Sequence, residues 1–244
     1  MIKEALQFIT GLKEASMDPK VVTIDGKTYC DKDLKRYDTR PLADPIQAST
    51  LTALLDYIWN KSDEMKESMI LHVIGPTKVK LYSGLDQERR REELFCVTAS
   101  VPNYRYDEWY DQERFLIEMQ ADFEMQGDLS VILKVAGNIE TKTTANYGDD
   151  GVSQKTTIKQ GIASKTDVVV PNPVTLFPYR TFLEVEQPES QFVFRIKDND
   201  GRPLFKLVEA EGGLWKNQAM KRIREYLEEK LEGCPVRERI TIIA

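Results

Sequence analysis

The chain of 244 residues contains one histidine, His72, and this single residue limits the catalytic chemistry open to the protein. Nucleophilic mechanisms of the Ser-His-Asp or Cys-His type need a histidine base, so any of them would have to use His72. The residue lies in an apolar run from 71 to 74, a setting that favours a partly buried structural histidine. A metal site made of several histidines is excluded, and the Walker A, GxGxxG and HExxH motifs are absent from the sequence.

Carboxylates are the remaining candidates for catalysis, because nucleases and phosphatases can hold metal ions with carboxylates alone. The most visible acidic pair, Asp149 and Asp150, lies between Gly148 and Gly151. Aspartate and glycine are favoured in tight turns, so we interpret this pair as a hairpin tip. The acidic residues between 184 and 189 are interpreted as a solvated strand edge. We therefore predict no catalytic residue, no metal ligand and no cofactor, and a protein that is not an enzyme.

A basic hairpin is the first candidate binding feature. Segments 139–147 and 152–162 are predicted as strands on either side of the glycine-flanked aspartates. Strand alternation places Lys142, Lys155 and Lys159 on one face, whereas Tyr147 belongs to the more apolar face. Three interpretations remain open: a solvated arm, an oligomerisation arm, and one wall of an anion-binding pocket.

A proline-broken segment, 171–180, is the second candidate. Its prolines at 171, 173 and 178 prevent continuous strand pairing. The segment carries Phe177, Tyr179 and Arg180, and an arginine beside aromatic rings can stack on a base and hold a phosphate. The alternative is that the rings pack in the core while Arg180 pairs with a nearby glutamate. The predicted ligand-binding residues are Lys142, Tyr147, Lys155, Lys159, Phe177, Tyr179 and Arg180.

Hydrophobic periodicity and turn signals predict the elements that position these residues. Asp25-Gly26 and Asn199-Asp200-Gly201 are typical of hairpin turns, and Ser49 or Thr50 can cap a helix. The predicted helices span 2–15, 51–60, 107–123, 129–135 and 214–231, with Trp215 facing inward on the last one. The predicted strands outside the basic hairpin span 21–24, 27–29, 69–74, 78–82, 93–99, 167–170, 180–186, 192–197, 204–209 and 239–243.

These elements indicate an α+β fold. Its N-terminal part has helices with a small antiparallel sheet, and its C-terminal part has an antiparallel β-meander with a long hairpin and a packed amphipathic helix. Gly127 is the best lobe boundary, giving an N-terminal α/β lobe over 1–127 and a β-rich lobe over 128–244 within one compact unit.

Composition narrows the environment and the partners. The net charge is −6 and the sequence pI about 5.1, which argues against general nucleic-acid binding. The three cysteines form no CxxC pair, so neither a zinc site nor a disulfide framework is indicated. The N-terminus lacks a signal pattern, and no apolar run approaches the roughly 18 residues of a membrane span. We expect a cytoplasmic protein without membrane contact.

Several strings of the sequence resemble a known family. They are Pro41 to Ile46 running into Ser49 to Thr52, Val79 to Ser83, Phe115 to Glu118, and Pro171 to Arg180. Together they are similar to phage and prophage proteins of unknown function, with a layout like that of the YfdQ-like group. The resemblance spans nearly the whole chain. It implies a viral origin and expression in the cytoplasm of a bacterial host, and it implies no reaction.

The expected function is therefore binding. The first hypothesis is a phage-encoded, homo-oligomeric protein that sequesters a small anionic ligand, such as a nucleotide or a cyclic-nucleotide defence signal of the host. The alternative is an interaction or assembly module that binds a host or phage protein during replication, recombination or host takeover. A metal-dependent nuclease or phosphodiesterase is a third, more remote hypothesis.

Overall fold

A computed structural model describes residues 2–32, 42–139, 148–149, 153–160 and 164–244. Contacts divide the chain into two units, Met1–Leu42 and Ala43–Ala244. The predicted boundary at Gly127 falls inside the second unit. That unit also joins strands from both sides of Gly127 in one sheet.

The first unit contains a helix and a hairpin, both expected from the sequence. Its elements are α1 (Ile2–Met17), β1 (Val21–Ile24) and β2 (Lys27–Cys30). Asp25 and Gly26 both have positive φ, as the type I′ turn between two directly paired strands requires. The unit is too small to bury its own apolar side chains, and Leu6, Phe8 and Ile9 of α1 are more than half exposed.

The second unit contains all the remaining elements. Its helices are α2 (Leu51–Asn60), α3 (Gln112–Ala121), α4 (Leu129–Asn138) and α5 (Leu214–Lys230), with a short 3-10 helix at Arg237–Arg239. Its strands are β3 (Ile46–Ala48), β4 (Met69–Gly75), β5 (Lys78–Ser83), β6 (Glu93–Thr98), β7 (Tyr110–Asp111), β8 (Gly148–Asp149), β9 (Ser153–Gln160), β10 (Ser164–Pro171), β11 (Val174–Leu176), β12 (Ser190–Asn199), β13 (Arg202–Glu209) and β14 (Ile240–Ile243). The predicted α+β class is confirmed.

A five-stranded mixed sheet in the order β14-β4-β5-β6-β3 forms one core together with α2 and α5. Strand β14 pairs in parallel with β4, so residues from opposite ends of the second unit share this sheet. Thr50 caps α2 by accepting a hydrogen bond from the Ala53 amide (3.3 Å), as the sequence indicated. The apolar face of α5 is buried in the same core through Ile223 and Leu227.

A four-stranded antiparallel sheet in the order β11-β12-β13-β7 packs with α3 and α4 around a second core. The predicted helix over 107–123 is shorter in the structure and begins at Gln112. Its first predicted turn is replaced by β7, which pairs with β13, and by Asp111, whose carboxylate caps α3 by accepting from the Arg114 amide (2.9 Å).

The strand predicted over 180–186 is wrong, because the buried side chain of Gln187 folds this stretch into turns. The Gln187 carbonyl oxygen accepts from the backbone amides of Arg180 and Thr181. Its amide group donates to the carbonyl oxygens of Phe182 and Val185. With these backbone groups satisfied locally, the stretch has no need of a neighbouring strand. Glu184 consequently lies at the start of α2 rather than on a strand edge, and it accepts from the Thr52 amide (3.3 Å).

The basic hairpin differs from its prediction as well. Ile139 is the C-terminal cap of α4 rather than the start of a strand, and residues 140–147 lie outside the described part of the chain. Gly148 and Asp149 pair with Lys155 and Gln154, while the long partner of β9 is β10. The three strands form a separate sheet in the order β10-β9-β8. Among the described residues, no helix is long and apolar enough to cross a membrane.

Candidate functional site

The proline-broken segment is held in place by the end of α3. Phe123 forms an isolated antiparallel bridge with Pro178. The Glu124 amide donates to the Phe177 carbonyl (2.8 Å), and the Tyr179 amide donates to the Asp122 carbonyl (2.9 Å). These hydrogen bonds hold Tyr179 and Arg180 beside Asp122.

A close backbone contact between Gly127 and Thr175 also fixes the proline-broken segment. Gly127 has φ +57°, and a Cβ at this position would lie 2.4 Å from the Thr175 carbonyl oxygen. Asp128 completes the junction, because its carboxylate accepts from the Thr175 amide (2.8 Å) and its own amide donates to the Thr175 carbonyl (2.9 Å). The same Cβ would lie 3.2 Å from the Phe177 ring, so Phe177 packs beside Gly127.

Arg180 is a buried, paired arginine, with only 8 % of its surface exposed. Its guanidinium donates to the Glu209 carboxylate and to the Ser190 hydroxyl. A second carboxylate oxygen, from Glu211, lies 3.8 Å from the guanidinium. The structure therefore has Arg180 paired with glutamate, which was the alternative interpretation of this residue.

Aromatic rings enclose the same guanidinium. Its carbon lies 4.0 Å from the ring centre of Trp215, 5.5 Å from that of Tyr106 and 5.6 Å from that of Phe192. Cation–π contacts of this kind strengthen when the cation is removed from water. Trp215 is thus half-buried over Arg180 at the start of α5, rather than fully in the core.

A cavity of about 180 Å³ opens beside this arginine. Its wall consists of Thr77, Val101, Pro102, Tyr104, Tyr106, Asp122, Pro178, Tyr179, Arg180 and Trp215. The contributing segments are the turn between β4 and β5, the loop before β7, the end of α3, the proline-broken segment and the first turn of α5. Two predicted site residues, Tyr179 and Arg180, meet here, whereas Phe177 does not line the cavity.

Four polar atoms of the cavity wall are shielded from water and have no hydrogen-bond partner among the described residues. They are the hydroxyl oxygens of Tyr104 and Tyr106, Nε of Arg180 and Nε1 of Trp215. Buried polar groups almost always find a partner, and leaving one unpaired costs about 1–3 kcal/mol. Four such atoms belong to residues of one small cavity, which makes this cavity the strongest candidate for a binding site among the described residues.

Burial sets the protonation of this wall. It raises the pKa values of the Tyr104 and Tyr106 hydroxyls above their ordinary value. Burial lowers the pKa of Arg180, while Tyr106 and Glu209 act in the opposite direction. Burial, helped by Glu118, raises the pKa of the Asp122 carboxyl. Near neutral pH the two tyrosines are therefore hydrogen-bond donors and poor bases or nucleophiles.

The other predicted residues lie elsewhere or outside the described part of the chain. Lys142 and Tyr147 are outside the described residues. Only backbone pairing is described for Lys155, opposite Val169, and for Lys159, opposite Lys165. The anion-binding role assigned to these four residues stays a prediction.

Neither His72 nor any acidic cluster forms a second candidate site among the described residues. His72 is half-buried on β4, opposite Lys80. The described residues contain no group of three or more histidine, cysteine or acidic side chains arranged to hold a metal ion. Asp150 lies outside the described residues, so the interpretation of the acidic pair as a turn also stays a prediction.

Sequence reasoning missed Tyr104, Tyr106 and Asp122 entirely. The usable signal was the Tyr104-Arg105-Tyr106 triplet, which places two tyrosines at alternate positions in a short stretch between predicted elements. Comparison with family models, curated proteins and solved structures finds no match to this chain.

Proposed function

We propose that this protein is a non-catalytic binding protein for a small ligand, and that the cavity beside Arg180 is its binding site. One observation carries the proposal: four residues that line one cavity, Tyr104, Tyr106, Arg180 and Trp215, each have a shielded donor without a hydrogen-bond partner among the described residues. A ligand that accepts hydrogen bonds from them relieves an unfavourable state of the free protein. The hydrogen bonds formed on binding therefore remove the free-energy cost of the unpaired donors and add to the affinity.

The chemistry of the wall favours binding over reaction. Its tyrosines are kept protonated by burial, and its arginine is already paired with Glu209. Neither group is arranged as a base beside a nucleophile, which covalent catalysis requires. The aromatic rings and hydrogen-bond donors instead suit recognition of a planar, polar molecule.

We propose that the whole ligand is the small anionic molecule expected from the sequence. This would be a nucleotide or cyclic nucleotide of a bacterial host. Rings of Tyr104, Tyr106 and Trp215 can pack against a base. The phage resemblance supports a role in sequestration, which needs tight binding and no turnover.

Calorimetric titration with a panel of nucleosides, nucleotides and cyclic nucleotides tests the proposal. Tyr104→Phe, which removes only the hydroxyl, should weaken binding at least tenfold. Tyr226→Phe is the matched control, because Tyr226 is a half-buried tyrosine on α5 outside the cavity. Bound ligand released by heating should be chemically intact. Binding that is unaffected by Tyr104→Phe, or recovery of cleaved ligand, would refute the proposal.

The second candidate is an interaction module, and the exposed apolar side chains of α1 favour it. Leu6, Phe8 and Ile9 are not covered within the first unit, whereas the amphipathic helix α5 buries its own apolar face. A host or phage protein, or a second copy in the expected homo-oligomer, could cover α1. Light scattering of the wild type and of Leu6→Glu distinguishes these partners, since only self-association changes the mass of the purified protein.

A further inference from the structure

The charges around the cavity determine which part of a ligand it accepts. Arg180 provides one positive charge, but Glu209 is bonded to it and Glu211 lies 3.8 Å away. Asp122 places a carboxyl in the cavity wall itself. A phosphate inside the cavity would face the Asp122 carboxyl in a poorly solvated space, where like charges repel strongly, while the charge of Arg180 is already balanced by Glu209. The cavity is therefore suited to an uncharged group.

The volume of the cavity limits the size of this group to one ring or a fused pair of rings. Its volume of about 180 Å³ is below the range of roughly 300–1,000 Å³ found for drug-sized ligands. At about 30 Å³ for each liquid water, it equals the space of some six waters. One ring or a fused pair of rings can fit, whereas the sugar and phosphates of a nucleotide must remain at the mouth. The flat faces of Tyr106 and Trp215 favour a planar ring over a saturated one.

The hydrogen-bonding groups of the wall specify the edge of that ring. Four donors lack partners: the Tyr104 and Tyr106 hydroxyls, the Arg180 Nε–H and the Trp215 Nε1–H. The carboxylate of Asp122 is an acceptor, and no hydrogen bond described in the structure uses it. A matching edge therefore presents carbonyl oxygens next to a ring N–H. An adenine-type edge offers ring nitrogens, each of which accepts one hydrogen bond, in place of carbonyl oxygens that can each accept two, so it would pair fewer of the donors.

Contact with the donors requires the wall to shift, because all four atoms are shielded from water in this conformation. Trp215 lies in the first turn of α5, directly after Gly212 and Gly213, which both have positive φ. Glycine tolerates backbone conformations on both sides of φ = 0, so this junction allows the first turn of α5 to move. A ring entering beside Arg180 would displace the Trp215 indole and expose its N–H and the guanidinium.

We propose that the cavity binds a lactam ring, that is, a planar heterocycle with a carbonyl group beside a ring N–H, as in uracil and hypoxanthine, and that any phosphate of the ligand stays outside. This inference rests on the proposed function and names the ligand class of the same site. The Tyr104 and Tyr106 hydroxyls and the Trp215 N–H donate to carbonyl oxygens of the ring. The Asp122 carboxylate accepts from the ring N–H.

Titration of the full chain with uridine, inosine, adenosine, 3-methyluridine and inorganic phosphate tests the inference. Uridine or inosine should bind at least tenfold more tightly than adenosine. The 3-methyl group replaces the ring N–H of uridine and should weaken its binding at least tenfold. Adding a 5′-phosphate to the nucleoside should change the affinity less than threefold, and inorganic phosphate should not compete.

Fluorescence localises the binding. In a Trp59→Phe, Trp109→Phe background Trp215 is the remaining tryptophan, and its emission should change on addition of the lactam nucleoside. Tyr104→Phe and Asp122→Ala should each weaken this response at least tenfold, and Tyr226→Phe should leave it unchanged. If either cavity variant unfolds, the 3-methyluridine comparison in the wild type still tests the ring N–H.

The outcomes separate the two proposals. Adenosine or phosphate binding as tightly as uridine, with sensitivity to Tyr104→Phe, would overturn the lactam assignment and leave the binding site standing. No heat and no Trp215 response with any compound, including the nucleotides and cyclic nucleotides of the wider panel, would overturn both.

Discussion

Two neighbouring tyrosines of the second core should respond in opposite ways to loss of the hydroxyl group. Tyr104 and Tyr110 are 7 % and 3 % exposed, and their rings stack with centres 5.2 Å apart. The Tyr110 hydroxyl accepts from the Arg105 amide (3.0 Å) and donates to the Arg105 carbonyl (3.2 Å). The Tyr104 hydroxyl has no partner among the described residues and is shielded from water. The two sites therefore differ mainly in hydrogen bonding.

The expected magnitudes follow from that difference. Tyr104→Phe removes an unpaired polar atom, so it should raise the free energy of unfolding by about 1 kcal/mol. Tyr110→Phe breaks two hydrogen bonds and should lower that free energy by about 1–2 kcal/mol. For a unit of this size, 1 kcal/mol corresponds to roughly 2–4 °C in Tm, so the two variants should differ by about 4–12 °C.

Thermal and urea unfolding of the ligand-free protein measure both effects, with the wild type alongside. The decisive quantity is the sign of the change for Tyr104→Phe. A loss of stability equal to that of Tyr110→Phe would mean that the Tyr104 hydroxyl is hydrogen-bonded in solution. The cavity would then hold no unpaired donor at that position, and the main support for a binding site there would be lost.

Three further predictions concern the junctions around the site. Gly127→Ala should lower the free energy of unfolding by more than about 2 kcal/mol, because its Cβ would lie 2.4 Å from the Thr175 carbonyl oxygen. The control Gly137→Ala, in the exposed part of α4, should raise that free energy by about 0.5–1 kcal/mol. Urea unfolding measures both changes. Gln187→Ala should lower Tm by roughly 5–10 °C through loss of its buried hydrogen bonds, and an unchanged Tm would contradict the role given to this side chain. Because the folded-state pKa of Asp122 is raised, its ionisation destabilises the fold as pH rises through that pKa. Asp122→Asn should therefore increase Tm at pH 7 and have less effect near pH 4, and a gain that grows towards acid would show that the sign is wrong.

Short-range rules predicted much of the fold correctly. Asp25-Gly26 and Asp200-Gly201 form the expected hairpin turns because both residues of each pair adopt positive φ. Helix α2 follows its capping threonine, and α5 follows its apolar stripe. The strand predicted over 180–186 was wrong because the next residue, Gln187, is buried and its side chain forms hydrogen bonds with the backbone of this stretch. No alternation pattern reveals which glutamine will be buried.

The amino-acid sequence by itself determined the α+β class, the main hairpin turns and the choice of the proline-broken segment, with Tyr179 and Arg180, as a candidate site. These features depend on neighbouring residues and their backbone preferences. Only the tertiary structure decided that Arg180 pairs with Glu209 and stacks on Trp215, and that Tyr104 and Asp122 share its cavity. The residues that form this wall span more than 100 positions of the chain. Their unpaired donors are therefore brought together by the packing of the second unit and not by a local sequence pattern.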